Sequence, residues 1–330
     1  MTRSWQSPSR SRPLLQRSGP ARLRLALSLL TLSLLGCPAA SSENLRVPLE
    51  VSSGLDLIFR GNPDAAISLA RKLEDEQPDH PIGYLLELEA RWWKTYCEAC
   101  EVKWGMVDAW RRGKRKEDQE FLALADKSEK LARAQMRTAD CAEMHLYVGM
   151  AYAFKARLYA LRDEHRAVAR TGVAARAEFL RTLEIDPGMV DADTGLGLYN
   201  YYVDTLSGFV KVLRFFMGIP GGSKQDGIRQ LEKAMNQGEL TKWDARFYLA
   251  KNLRLYDQRY EQAEEVLIPA VEQYPENPLF HLMVANLNVE LGHNDRAAAE
   301  FQAANATAGG DSECARNIRA MTQGFVSALH

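Results

Sequence analysis

Much that would announce a particular chemistry is missing from this sequence. Its six histidines (His80, His145, His165, His281, His293 and His330) include no H-E-x-x-H or other tight ligand spacing, which argues against a histidine-built metal centre. They read instead as scattered surface or capping residues. No serine sits in a G-x-S-x-G elbow. The stretch Gly218 to Lys224, GIPGGSK, misses the phosphate-loop pattern. Ser223 stands where the second glycine belongs, and Gln225 follows the lysine. It predicts a flexible turn before a helix at 225–237. Acids are plentiful, as at Asp186, Asp191 and Asp193, but nothing selects a catalytic pair. Such groups are usually solvated turn and helix-start residues. The expectation is a protein that is not an enzyme and holds no metal or cofactor.

Long apolar runs are also scarce. Beyond the first forty residues none approaches the roughly 18 residues of a membrane span. The N-terminus differs. Residues 1–24 carry six arginines and no acid, then comes the apolar run Leu25 to Leu35, then Gly36-Cys37. A basic stretch followed by a short apolar one is an export signal. Its ending, LLGC at Leu34 to Cys37, resembles the lipobox of bacterial lipoproteins. The resemblance implies a signal peptide over 1–36, lipid on Cys37 as the mature N-terminus and a polar tether over 37–45. The chain would then sit at the bacterial cell envelope, lipid-anchored, on the outer membrane facing the periplasm in a Gram-negative host. The competing reading is an ordinary signal peptide cleaved near Ala39 or Ala40. Removing residues 1–36 leaves 36 basic against 43 acidic residues, a net charge of about −7. That balance argues against nucleic acid as the partner.

After residue 45 the pattern is helical. Ala263, Leu267 and Ala270 are followed by Pro275, and 34 residues after the first of them come Ala297, Phe301 and Ala304. Small residues let paired helices approach, and the bulky one between them fills the gap. A 34-residue period with these residues at +4 and +7 resembles the tetratricopeptide repeat. Echoes occur at Ala66, Ala70 and Leu73, at Ala175, Phe179 and Thr182, and at Leu231 and Ala234. The resemblance implies an all-α fold, a right-handed αα superhelix of about six helix pairs. These fall at 47–78, 80–138, 142–187, 189–238, 242–275 and 278–306, within a solenoid over 46–310. Inserts are expected near 94–120, 156–168 and 204–224, and a capping helix over 311–330.

Cysteine is sparse, five in all. Cys97-Glu98-Ala99-Cys100 has redox or zinc spacing, but no strand precedes it and no second C-x-x-C completes a zinc site. An exported compartment permits disulfides. The preferred bridge joins Cys97 or Cys100 to Cys141, and free buried thiols are the alternative. The run Arg111 to Lys116, followed by Glu117, Asp118 and Glu120, reads as a solvated loop.

What remains is a surface. A stack of helix pairs offers a concave face lined by first helices, and aromatics cluster in those segments. Neighbours on a helix lie about 100° apart, so Trp92-Trp93 and Tyr201-Tyr202 cannot both face inward on a one-sided helix. One of each pair becomes a candidate groove residue. Phe215 and Phe216 belong to a helix-compatible segment at 206–217, ended by Gly218, Pro220, Gly221 and Gly222. This segment could narrow the concave side, be an extra core helix, or rest at a lipid surface. The function expected is a non-catalytic scaffold that binds a protein or peptide partner. A small-ligand-binding accessory lipoprotein of a transport system is the alternative, and would need an enclosed pocket with converging polar groups.

Overall fold

A computed structural model describes residues 45–99, 113–205 and 219–328. Cys37, Cys100, Phe215 and Phe216 lie outside them. The described residues are all-helical. In chain order the helices are α1 (Leu49–Phe59), α2 (Pro63–Glu76), α3 (Pro81–Glu98), α4 (Glu117–Met136), α5 (Ala142–Leu161), α6 (His165–Ile185) and α7 (Asp191–Thr205). They continue as α8 (Lys224–Gln237), α9 (Lys242–Asn252), α10 (Tyr260–Gln273), α11 (Pro278–Glu290), α12 (Asn294–Thr307) and α13 (Glu313–Ala328), with a π-helical turn at Leu253–Asp257.

Local chemistry sets several starts. Helices α2, α3 and α11 each begin with a polar cap and a proline: Asn62-Pro63, His80-Pro81 and Asn277-Pro278. The cap side chain accepts a free backbone N–H, and proline's fixed φ suits the first helical position. The small–large–small pattern then faces inward: Ala263, Leu267, Ala270, Ala297, Phe301 and Ala304 are each at most 1% exposed. Close approach has a further cause where α7 crosses α8. A Cβ on Gly227 would lie 2.7 Å from the carbonyl oxygen of Gly197 and 2.7 Å from the Tyr201 nitrogen. The extra residues at 156–168 lengthen α5 and α6, which meet in a tight turn at Asp163, φ 59°.

Asp186 is a half-exposed turn residue, but the two acids after Pro187 are not solvated, contrary to expectation. Asp191 and Asp193 are buried. Asp191 accepts the backbone N–H groups of Leu240 (2.9 Å) and Thr241 (2.8 Å) and the Thr241 hydroxyl (2.9 Å), so it brackets the loop before α9. Asp193 pairs with Lys233 of α8 at 2.7 Å.

Two of the first helices, α9 and α11, do not line an open face. Nine consecutive residues of α9, Asp244 to Asn252, and ten of α11, Leu279 to Asn288, are buried, so neither helix keeps a solvent side there. They meet α3 around Trp93, whose ring centroid lies 4.8 Å from Phe247, 5.4 Å from Phe59 and 6.1 Å from Phe280. The N-terminal and C-terminal helices also touch. Asn277 Nδ2 donates to the Phe59 carbonyl at 2.8 Å, and Arg60 pairs with Glu276 at 3.1 Å. Helix α13 is fastened to α3 by a Cys97–Cys314 disulfide, Cα–Cα 5.2 Å, and by Asn317 Nδ2 donating to the Glu98 carbonyl at 3.1 Å.

Candidate functional site

Helices α3, α5 and α9 bring charge into the interior. Asp244 is 1% exposed and Glu89 5%. Arg157 of α5 reaches both, with Nη1 3.4 Å from Asp244 Oδ1 and 3.8 Å from Glu89 Oε2. Its guanidinium lies over the rings of Tyr248 (4.8 Å), Phe154 (5.3 Å) and Trp92 (6.0 Å). A buried ion is costly unless paired, and the electron-rich ring faces add attraction. Trp92 Nε1 donates to the Tyr248 hydroxyl at 2.8 Å. Burial pushes the Tyr248 hydroxyl well up, so it stays neutral and able to donate.

A second polar group forms where α9 ends. The backbone widens into the π turn and closes at Gln258, φ 53°. Such turns disturb the helical hydrogen-bond ladder and leave carbonyls for other donors. The Asn252 carbonyl accepts the Tyr201 hydroxyl at 3.0 Å, which also lies 2.8 Å from Asp257 Oδ2. The Tyr202 hydroxyl donates to Asn252 Oδ1 at 3.0 Å. Lys224 reaches Asp257 at 2.5 Å and sits 5.2 Å over the Tyr201 ring. Burial, reinforced by the bond to Asp257, raises the Tyr201 hydroxyl far above its ordinary range. Tyr256, packed against both tyrosines, is 43% exposed and carries this group to the surface.

The third feature is a cleft of about 550 Å³ lined from α2, α3, α4, α5 and α13. Eleven of its lining residues are charged: Arg71, Arg91, Lys94, Arg115 and Arg162 against Asp64, Glu98, Glu117, Asp118, Glu120 and Glu313. Each cation already holds an acid. Lys94 pairs with Asp64 (2.6 Å), Arg91 with Glu120 (2.7 Å), and Arg71 with Glu87 (3.2 Å) behind the wall. Arg115 bridges Glu98 (3.2 Å) and Glu313 (3.0 Å). Arg162 grips Asp118 in two-point fashion at 2.7 and 2.8 Å. Burial opposes ionisation of Asp118, yet Arg162 and the Arg115 N–H outweigh it and hold its carboxyl below the usual range. Beside this wall stands Glu74; burial, then its neighbour Glu87, pushes it up to about 8. A ligand entering the cleft must replace pairs of both signs, because an apolar one would strand desolvated ions.

Several expectations are corrected. Trp93 and Tyr201 are buried rather than presented in a groove, Tyr202 is half-buried, and Trp92 is buried in the wall of the cleft. The one-sided-helix premise fails for α3, which has neighbours on both flanks: Trp93 faces Phe59 and Phe280 while Trp92 faces Tyr248 and Arg157. Cys97 bonds Cys314, not Cys141, and Cys141 is itself disulfide-bonded, so neither is a free thiol. Arg115 and Asp118 belong to the cleft wall rather than a solvated loop. His281 is buried and bonded to Glu300 and the Pro275 carbonyl, whereas His80 caps α3.

Sequence reasoning missed Glu89, Asp244 and Arg157. A signal existed for the first: Glu87 and Glu89 interrupt the apolar run Ile82 to Trp93, where a one-sided helix would place one of them against its packing. Arg157 and Asp244 carry no local mark, since only the tertiary fold brings them together. Compared with known proteins, the chain matches no family model and no curated protein sequence.

Proposed function

We propose that the chain is a non-catalytic scaffold, a degenerate array of tetratricopeptide type, anchored at the bacterial cell envelope by lipid on Cys37. Its recognition site is the charged cleft, which takes a segment of a protein partner carrying both signs of charge. The observation that supports this reading is the cleft wall. Eleven charged residues from several elements, with every cation paired, suit a partner that offers matching acids and bases. Electrostatic complementarity of this kind selects partners and registers them. The volume, about 550 Å³, also lies in the range of small-molecule sites, which favours the accessory ligand-binding lipoprotein as the second reading.

The test is site-specific photo-crosslinking in the native host. A crosslinker at Thr95, which lines the cleft, should trap one defined protein, and one at exposed Gln302 of α12 should not. Lys94→Glu should abolish the Thr95 product. Absence of a Thr95-specific protein adduct defeats the scaffold reading. A small molecule retained in native mass spectra and lost in Lys94→Glu would establish the second.

A further inference from the structure

The Glu89–Asp244 pair has a feature that its ion pairing with Arg157 does not explain. The two carboxyl groups converge on one cation, with Glu89 Oε2 3.8 Å and Asp244 Oδ1 3.4 Å from the same Arg157 nitrogen. Two carboxylates are acceptors only, so neither can satisfy the other unless one of them carries a hydrogen. Glu89 Oε1 and Asp244 Oδ2 make no hydrogen bond, although both residues are more than nine-tenths buried. Charge leads to the same place. With both acids ionised, Arg157 balances only one of them and leaves a net negative charge in the interior, where it is expensive. The other titratable groups beside the cluster are Tyr202 of α7 and Tyr248 of α9, both neutral hydroxyls, and Lys251 of α9, which lies 5.4 Å over the rings of Tyr96 and Tyr248.

We infer that Glu89 and Asp244 form a binding site for a single proton, held between α3 and α9 and balanced by Arg157, so that folding takes up one proton from neutral solution. The cluster Glu89–H–Asp244–Arg157 is then electrically neutral. Burial raises both carboxyls above their ordinary range; at Glu89 the charge of Asp244 adds to it, and at both residues Arg157 opposes it. The sign of the linkage follows. The unfolded chain releases this proton near the ordinary carboxylate range, whereas the folded chain keeps it to higher pH. Stability therefore falls as pH rises between those two limits. The site also lies next to the cleft, because Trp92 stacks on Arg157 and lines that cleft.

The experiment is denaturant unfolding of the disulfide-intact protein at several pH values from 6 to 8, comparing wild type with Glu89→Gln. The amide keeps the shape and can donate to Asp244 without a bound proton. The unfolding constant of the wild type should rise with pH about tenfold more per unit than that of the variant, the mark of one proton. Every other titrating group cancels in the comparison. Parallel slopes would overturn the site. Asp244→Asn should flatten the slope in the same way and serves if Glu89→Gln does not fold. Should neither fold, infrared spectra of the Glu74→Gln chain at pH 7 must still show a protonated carboxyl, and its absence overturns the proposal.

Discussion

Breaking the Cys97–Cys314 bridge gives the sharpest test of the packing. The two cysteines are 217 residues apart, so the bridge closes a loop covering most of the described helices. In the chain-entropy account a closed loop of that length removes roughly 18 cal/mol/K from the unfolded ensemble, or about 5 kcal/mol at 25 °C. The bridge involving Cys141 stays in place and already restricts the unfolded chain, so about 5 kcal/mol is an upper bound. The double variant Cys97→Ala, Cys314→Ala should retain its helical circular dichroism, because α13 keeps Ile318 and Met321 in the core and Asn317 on the Glu98 carbonyl. Guanidinium unfolding should show a loss of about 2–5 kcal/mol against the oxidised wild type. Amide exchange should quicken first in α13, which the bridge fastens to α3. Equal unfolding free energies, with no faster exchange in α13, would refute the assignment of these cysteines to one another.

Gly227→Ala should cost about 1–3 kcal/mol by overpacking, since its Cβ would meet backbone atoms of Gly197 and Tyr201 that cannot swing aside; thermal melts check this, and an unchanged Tm would contradict the α7–α8 crossing. Glu74, raised to about 8 beside Glu87, holds a proton in the folded state that the unfolded chain loses near 4.5. Its share of the stability should therefore decline as pH rises from about 4.5 through 8, and Glu74→Gln should remove that share while leaving the decline owed to Glu89 and Asp244. The gain at pH 9 should be on the order of 1 kcal/mol, because the group is half-exposed and solvent screens it; no gain in denaturant titrations at pH 9 would count against the Glu74–Glu87 contact.

The helices were legible because their marks are local. Asn62-Pro63 and Asn277-Pro278 announce starts, and Ala263, Leu267 and Ala270 share one helical face whatever covers it. What covers a helix is not local. Trp92 and Trp93 looked like an inner and an outer residue, yet α3 is enclosed by α1, α9 and α11 on one flank and by α5 on another. Of the two bridges expected to Cys141, the one from Cys97 is overturned for a related reason, and the one from Cys100 lies outside the described residues. Cys141 is nearer in sequence to Cys97, but α13 returns to α3 at the end of the chain. Of the candidate site, the spacing pattern held no trace of the cleft. Its charges come from elements far apart in sequence, such as Arg71 and Glu313, and runs of mixed charge look the same whether solvated or paired.

The contact between the ends has a consequence for how the protein is made. In an open stack each pair can settle on the one before it as the chain emerges. Here α3 cannot complete its surroundings until α9, α11 and α13 have appeared. With 217 residues between Cys97 and Cys314, and synthesis at about 5–20 residues per second, Trp93 and the thiol of Cys97 wait on the order of 10–40 s for their final neighbours. During that interval α3 has only α1, α2, α4 and α5 to pack against, the side that meets α9 and α11 is uncovered, and Cys97 has Cys100 and then Cys141 as earlier candidates for oxidation. A newborn chain thus depends on shelter from aggregation and on the exchange of early disulfides, demands that a repeat protein folding from one end does not make.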